Sequence, residues 1–135
     1  MATITRFEEL EVWQLARGQT LDFYNLVLTT PLAKDFELRN QMNGSSGSVM
    51  DNIAEGFERA GNIEFKNFLV IAKGSNGEFR SQLYRCLDRG YVLQEEFDSL
   101  YEKNNNISRK LMSFIQYLQH SSLTGQNRKP KNSTT

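Results

Sequence analysis

Glu55 and Glu78, together with a line of cations at Lys66, Lys73 and Arg80, are the residues of this chain whose types and spacing could carry chemistry. Carboxylates near a core act as acids and bases when burial raises their pKa, and glycoside hydrolysis needs two of them converging on one pocket. In a helical hairpin that turns around Ala60-Gly61, Glu55 and Glu78 lie roughly a dozen residues apart along the axis, ~18 Å at ~1.5 Å per residue. They do not form a pair within one chain, so the expectation is a capping or bridging role between helices or subunits and no catalytic residue. The cations recur every seven residues, with Arg85 and Arg89 farther on. Such a stripe tracks phosphates, and a solvated helix face has the same pattern; both readings stand.

Other reactive types lead away from catalysis. The single histidine, His120, has no Glu three residues before it, so the Glu-x-x-His site of di-metal bundles is missing, and neither metal nor cofactor is expected. Cys86 is the only cysteine, on the apolar face of a helical segment, and reads as a buried structural thiol in a reducing compartment. Gly44-Ser45-Ser46-Gly47-Ser48 lacks the Lys-Ser/Thr pair and the preceding strand of a phosphate-binding loop. It is matched by Gly74-Ser75-Asn76-Gly77 beyond the turn. In an antiparallel hairpin, positions summing to about 121 lie side by side, so Gly44 faces Gly77, Gly47 faces Gly74 and Ser46 faces Ser75. Residues three apart share a helix face, so close helix packing is the expected role of Gly44, Gly47, Gly74 and Gly77, ahead of a plain loop.

The elements that position these residues read as four amphipathic helices. Thr5 and Glu8 suggest a capping box for a first helix over about 7–28, with Leu10, Trp13, Leu21, Tyr24 and Leu28 on its apolar face, broadened by Val12, Ala16, Phe23 and Val27. It stops before Pro31. A second helix starts near Glu37 and is weakest at 44–48, where glycine costs about 1 kcal/mol against alanine. Asn62 is a plausible N-cap for the third. The fourth carries the clearest seam, Phe97, Leu100, Asn104, Ile107, Leu111, Phe114 and Leu118, stepping by three and four. The expected architecture is all-α, an up-down-up-down antiparallel four-helix bundle over 7–120, with a short lead at 1–6 and a disordered basic tail at 121–135.

An apolar fraction of 39% and a mean hydropathy of −0.55 describe a soluble chain, and no apolar run approaches the ~20 residues of a membrane span. No signal-peptide pattern opens the sequence, so a cytoplasmic location is expected. The formal charge of zero hides an asymmetry: residues 1–120 hold 13 bases against 16 acids, and the tail holds Arg128, Lys129 and Lys131 with no acid. That tail is a flexible nucleic-acid arm or a solubilising end; the overall basic character of a nucleic-acid binder is missing.

FEELEVWQLA at 7–16, SVMDNIAEG at 48–56, EFKNFLVIAKGSNGEF at 64–79 and Gln82-Leu83 together resemble the bacterial four-helix-bundle family associated with intervening sequences in large-subunit ribosomal RNA genes. The resemblance covers about 7–118. It implies a subunit that assembles into a homopentameric ring, with no established catalytic activity. It also implies kinship with the accessory protein of diversity-generating retroelements, whose similar pentamer binds nucleic acid and a reverse transcriptase. Asn52, Glu55, Gly56, Ser75 and Glu78 match the family's recurring polar and small positions, whereas Asn43-Gly44 stand where basic residues are common. Two functions follow as expectations. The first is a non-enzymatic accessory module that binds RNA, DNA or a nucleic-acid enzyme through repeated basic faces. The second is a protein-interaction module without nucleic-acid contact, docking through exposed apolar positions such as Trp13, Tyr91 or Tyr101.

Overall fold

A computed structural model describes residues 3–59 and 61–124. Four helices, α1 (Glu11–Thr29), α2 (Phe36–Glu58), α3 (Asn62–Asp88) and α4 (Gln94–Thr124), form an all-α antiparallel bundle. α2 packs mainly on α3, α3 on α4, and α1 on α2 and more lightly on α4, which leaves α1 and α3 diagonal.

Each end is set by local chemistry. The expected Thr5/Glu8 capping box does not form; Arg6 is the N-cap and its side chain has no acceptor, and the Glu9 carboxylate supplies only the other half, accepting from the backbone N–H of Thr5 (2.9 Å) and Arg6 (3.0 Å). It caps a 3-10 turn, Phe7–Glu9, and the chain bends at Leu10 before α1 begins. The lead residue Ile4 is fully buried in the core. Thr30 and Pro31 end α1 and start a second 3-10 turn, Pro31–Lys34. Asp35 caps α2 through Leu38 N–H (3.3 Å) while its other oxygen accepts from Arg89 and from the Tyr91 hydroxyl, both at 2.7 Å. This clamp ties the start of α2 to the α3–α4 connection, where Gly90 takes φ +75°. Gly61, at φ +98°, precedes α3, and Asn62 is the first helical residue instead of the cap.

Residues 44–48 are helical throughout, but the hairpin register is displaced from the expected one: Ser75 meets Ser48 in place of Ser46, and Ser45 meets Gln82, six positions beyond the residue expected opposite it. Ser48 Oγ meets Ser75 Oγ at 2.8 Å and Ser45 donates to Gln82 at 2.6 Å. The expected role of the glycines is corrected. A Cβ built on Gly44, Gly47 or Gly74 would meet nothing within 4 Å, and one on Gly77 only Arg80 Nη2 at 3.7 Å. The cause is helix phase: Met42, Val49 and Ile53 anchor α2, so the residues between them on the same face, Ser45 and Ser46, turn inward and the glycines turn out. The close approach occurs at Gly56, where a Cβ would lie 2.6 Å from Phe68 Cβ.

α1 is also rotated from its expected phase. Val12, Ala16, Gln19, Phe23 and Leu26 are buried, whereas Leu21, Tyr24 and Leu28 are 56–63% exposed. A polar residue, Gln19, occupies the middle of the true stripe and hid it. The α4 seam is as expected, and α4 runs to Thr124, so 121–124 are helix and not tail.

Candidate functional site

A layer of amides crosses the bundle at mid-height. Gln19 lies between Ala16 and Phe23 on α1, Asn76 between Ala72 and Phe79 on α3, and Asn104 within the α4 seam; all three are buried. Gln19 donates to Asn76 Oδ1 (3.0 Å), and Asn104 donates to Gln19 Oε1 (2.8 Å) and to Asn76 Oδ1 (3.0 Å). Asn76 returns a bond to the Asn104 carbonyl (3.0 Å). The layer separates two apolar clusters, one centred on Phe65, Leu69, Leu111 and Phe114, the other on Met42, Phe79, Leu83 and Cys86. Buried amides are costly unless paired, and these satisfy one another across three helices, which fixes the helices' axial register. Sequence reasoning missed this layer; its one visible sign was Asn104 in an otherwise apolar seam.

The network reaches the surface through Arg80, whose Nη1 donates to Asn104 Oδ1 at 3.0 Å. Arg80, Lys73, Gly74, Gly77 and Val70 from α3 and Ser108, Met112 and Ile115 from α4 line a groove of about 480 Å³ that has no carboxylate in its wall. A second, smaller cavity of about 280 Å³ opens between α1 and α4, with Gln19 among its lining residues and the Lys103–Asp22 ion pair (3.4 Å) beside it.

The expected cation stripe therefore divides in two. Lys66, Lys73 and Arg80 share one edge of α3, and neither lysine makes an ion pair among the described residues. Arg85 and Arg89 turn toward α2 instead, onto Gln41 (3.0 Å) and Asp35. Arg128, Lys129 and Lys131 lie outside the described residues. Asn52 and Ser75 are linked through Ser48 on the α2–α3 face, Asn52 donating to Ser48 Oγ (2.9 Å), which in turn meets Ser75, whereas Gly56 packs on Phe68 farther along the hairpin. Glu55 and Glu78 are exposed and do not join them; Glu55 pairs with Arg59 at 2.8 Å. Cys86 is fully buried and its thiol is pushed up to about 11, by burial first and by the charge of Asp35 second. Among the described residues no group of three or more His, Cys, Asp or Glu is placed to hold a metal, and no helix is long and apolar enough to cross a membrane.

The three aromatics expected to face a partner are engaged within the chain. Trp13 meets Phe7 edge-on at 5.1 Å, Tyr91 binds Asp35, and Tyr101 packs on Phe97 and Tyr84. Among the described residues, exposed apolar side chains occur instead at Leu21, Tyr24 and Leu28, which share α1, and singly elsewhere, as at Phe36, Ile63 and Leu93.

The family model for the 23S rRNA-intervening sequence protein matches residues 8–113. The chain belongs to that family. A crystal structure of a protein with unknown function from the S23 ribosomal protein family of Bacteroides thetaiotaomicron is similar in fold, with a TM-score of 0.70 at 24% identity. The match covers 77% of this chain and 97% of that one. No curated protein matches. The span matched by the 23S rRNA-intervening sequence family, 8–113, contains the amide layer, the Asn52–Ser48–Ser75 chain and every named lining residue of the α3–α4 groove except Ile115.

Proposed function

We propose that this chain is a non-enzymatic, self-assembling module that associates with RNA or DNA, or with an enzyme acting on them, through the α3 edge bearing Lys66, Lys73 and Arg80. The observation that carries the reading is the pairing state of that edge. Lys73 and the amide-held Arg80 line a groove with no acid in its wall, Lys66 lies a turn beyond Val70 on the same edge, and neither lysine has an ion-pair partner among the described residues. Arg85 and Arg89, farther along, are committed to Gln41 of α2 and to its cap Asp35. The family's connection with 23S rRNA favours nucleic acid as the partner.

Assembly is assigned to the opposite side of the bundle. Leu21, Tyr24 and Leu28 form an exposed apolar stripe on α1, diagonal to α3, and such patches mark interaction surfaces. Five subunits is the number the family resemblance implies. A ring repeats the basic edge in every copy, and linked weak sites act at high effective concentration. Affinity measured between about 50 and 200 mM salt tests the reading. Binding that falls steeply with salt, with a shallower slope for the Lys66→Gln/Lys73→Gln variant, supports it; no binding at ~50 mM salt refutes it.

A second reading has an observation of its own. The α1 stripe is apolar and uncharged, so it also suits a protein partner without nucleic acid. That reading predicts a partner contact that survives high salt and is lost with Leu21→Glu.

A further inference from the structure

Positions 66, 70, 73, 77, 80 and 84 step by four and three along α3 and so share one face, the face that borders α4. Along it, cations alternate with apolar or small residues: Lys66, Val70, Lys73, Gly77, Arg80, then Tyr84. The edge is ~27 Å long at ~1.5 Å per residue. Val70 and Met112 are exposed at the groove rim, and Tyr84 is 47% exposed one turn beyond Arg80, its ring braced by Phe97 at 4.9 Å and Tyr101 at 5.9 Å. Arg80 gives one donor to the buried Asn104 and keeps the others for the groove, so its guanidinium is positioned before any ligand arrives.

We propose that this groove takes single-stranded nucleic acid in preference to duplex, which deepens the function proposed above and rests on it. A ligand for this surface must present anionic and apolar groups side by side. A duplex hides its base faces in the stack and shows the protein mainly phosphate and sugar. An unpaired strand offers phosphates to Lys66, Lys73 and Arg80 and open base faces to Tyr84, Val70 and Met112, the combination of charge and stacking that single-strand sites use. Gly77 keeps the groove open, since it brings no side chain to a position that faces the channel. The contacts are to backbone and base faces, so affinity depends little on sequence.

The test is fluorescence anisotropy of the full chain at low salt with a labelled single strand of about 12 nucleotides, against the same strand annealed to its complement. Single-strand binding at least tenfold tighter than duplex is expected. Gly77→Leu fills the channel and leaves every charge in place, and it is expected to lower single-strand affinity at least tenfold. Gly74→Leu, where a side chain has open space, serves if the first variant fails to fold. Tyr84→Ser is expected to lower single-strand affinity and leave duplex affinity unchanged. Equal or tighter duplex binding overturns the proposal while leaving the basic-edge reading in place. So does single-strand binding that is indifferent to both glycine variants. Absence of binding to either probe at ~50 mM salt overturns both. Capture of an acidic peptide in place of either nucleic acid also overturns both, and assigns the groove to a protein partner.

Discussion

Asn104 holds more of the bundle's interior polarity than any other side chain, donating to Gln19 and Asn76 and accepting from Arg80. Asn104→Leu suits the apolar seam but strands Gln19 Oε1 in the core and takes one of two donors from Asn76 Oδ1. A buried group left unsatisfied costs about 1–3 kcal/mol, so urea unfolding is expected to show a loss of that size. A loss under ~0.5 kcal/mol, the scale of a neutral surface change, contradicts the network. The glycines divide in the same assay. Gly56→Ala forces a Cβ against Phe68 and is expected to destabilise by about 1–3 kcal/mol. Gly44→Ala and Gly74→Ala meet open space within a helix and are expected to stabilise by up to about 1 kcal/mol each. Burial raises the Cys86 thiol, so the folded protein is expected to resist alkylation by iodoacetamide at pH 8 until denaturant is added.

The helices differ in how far they could be read from their residues. α4 was legible because its seam is apolar at every step except Asn104, and periodicity is the main signal available to sequence reasoning. α1 was misread because burial of Gln19 depends on partners 57 and 85 residues away, Asn76 and Asn104, which no local pattern reveals. The α2–α3 hairpin was legible in direction but neither in register nor in phase. Serine and glycine are both small, and only the anchoring by Met42, Val49 and Ile53 decides which turns inward. The cation stripe was likewise legible as a spacing, while its division between α4-facing and α2-facing halves depended on Gln41 and Asp35. The end clamp at Asp35 carries a prediction at this scale. Its carboxyl is held below the usual range by the Tyr91 hydroxyl first, and also by Arg89 and the Leu38 N–H. A depressed folded pKa stabilises above the unfolded value and is lost as pH falls through the folded one. Stability is therefore expected to decline below about pH 4, and Asp35→Asn is expected to flatten that part of the pH profile. An unchanged profile contradicts the clamp.

At the scale of the whole molecule, the two proposed surfaces, an apolar stripe on α1 for assembly and a basic edge on α3 for nucleic acid, lie on diagonal helices of one bundle. The separation has a consequence for linkage. Losing the α1 contacts leaves each basic edge intact but breaks the link between copies, so affinity for a long strand falls while affinity for a short one persists. The most direct test is the solution mass by light scattering of the wild-type chain and of the Leu21→Glu/Tyr24→Glu variant. Assembly through the proposed α1 stripe predicts about five times the 15.6 kDa subunit mass for the wild type and 15.6 kDa for the variant, which keeps its helical content. A wild-type mass of 15.6 kDa, or a variant that assembles as the wild type does, contradicts it.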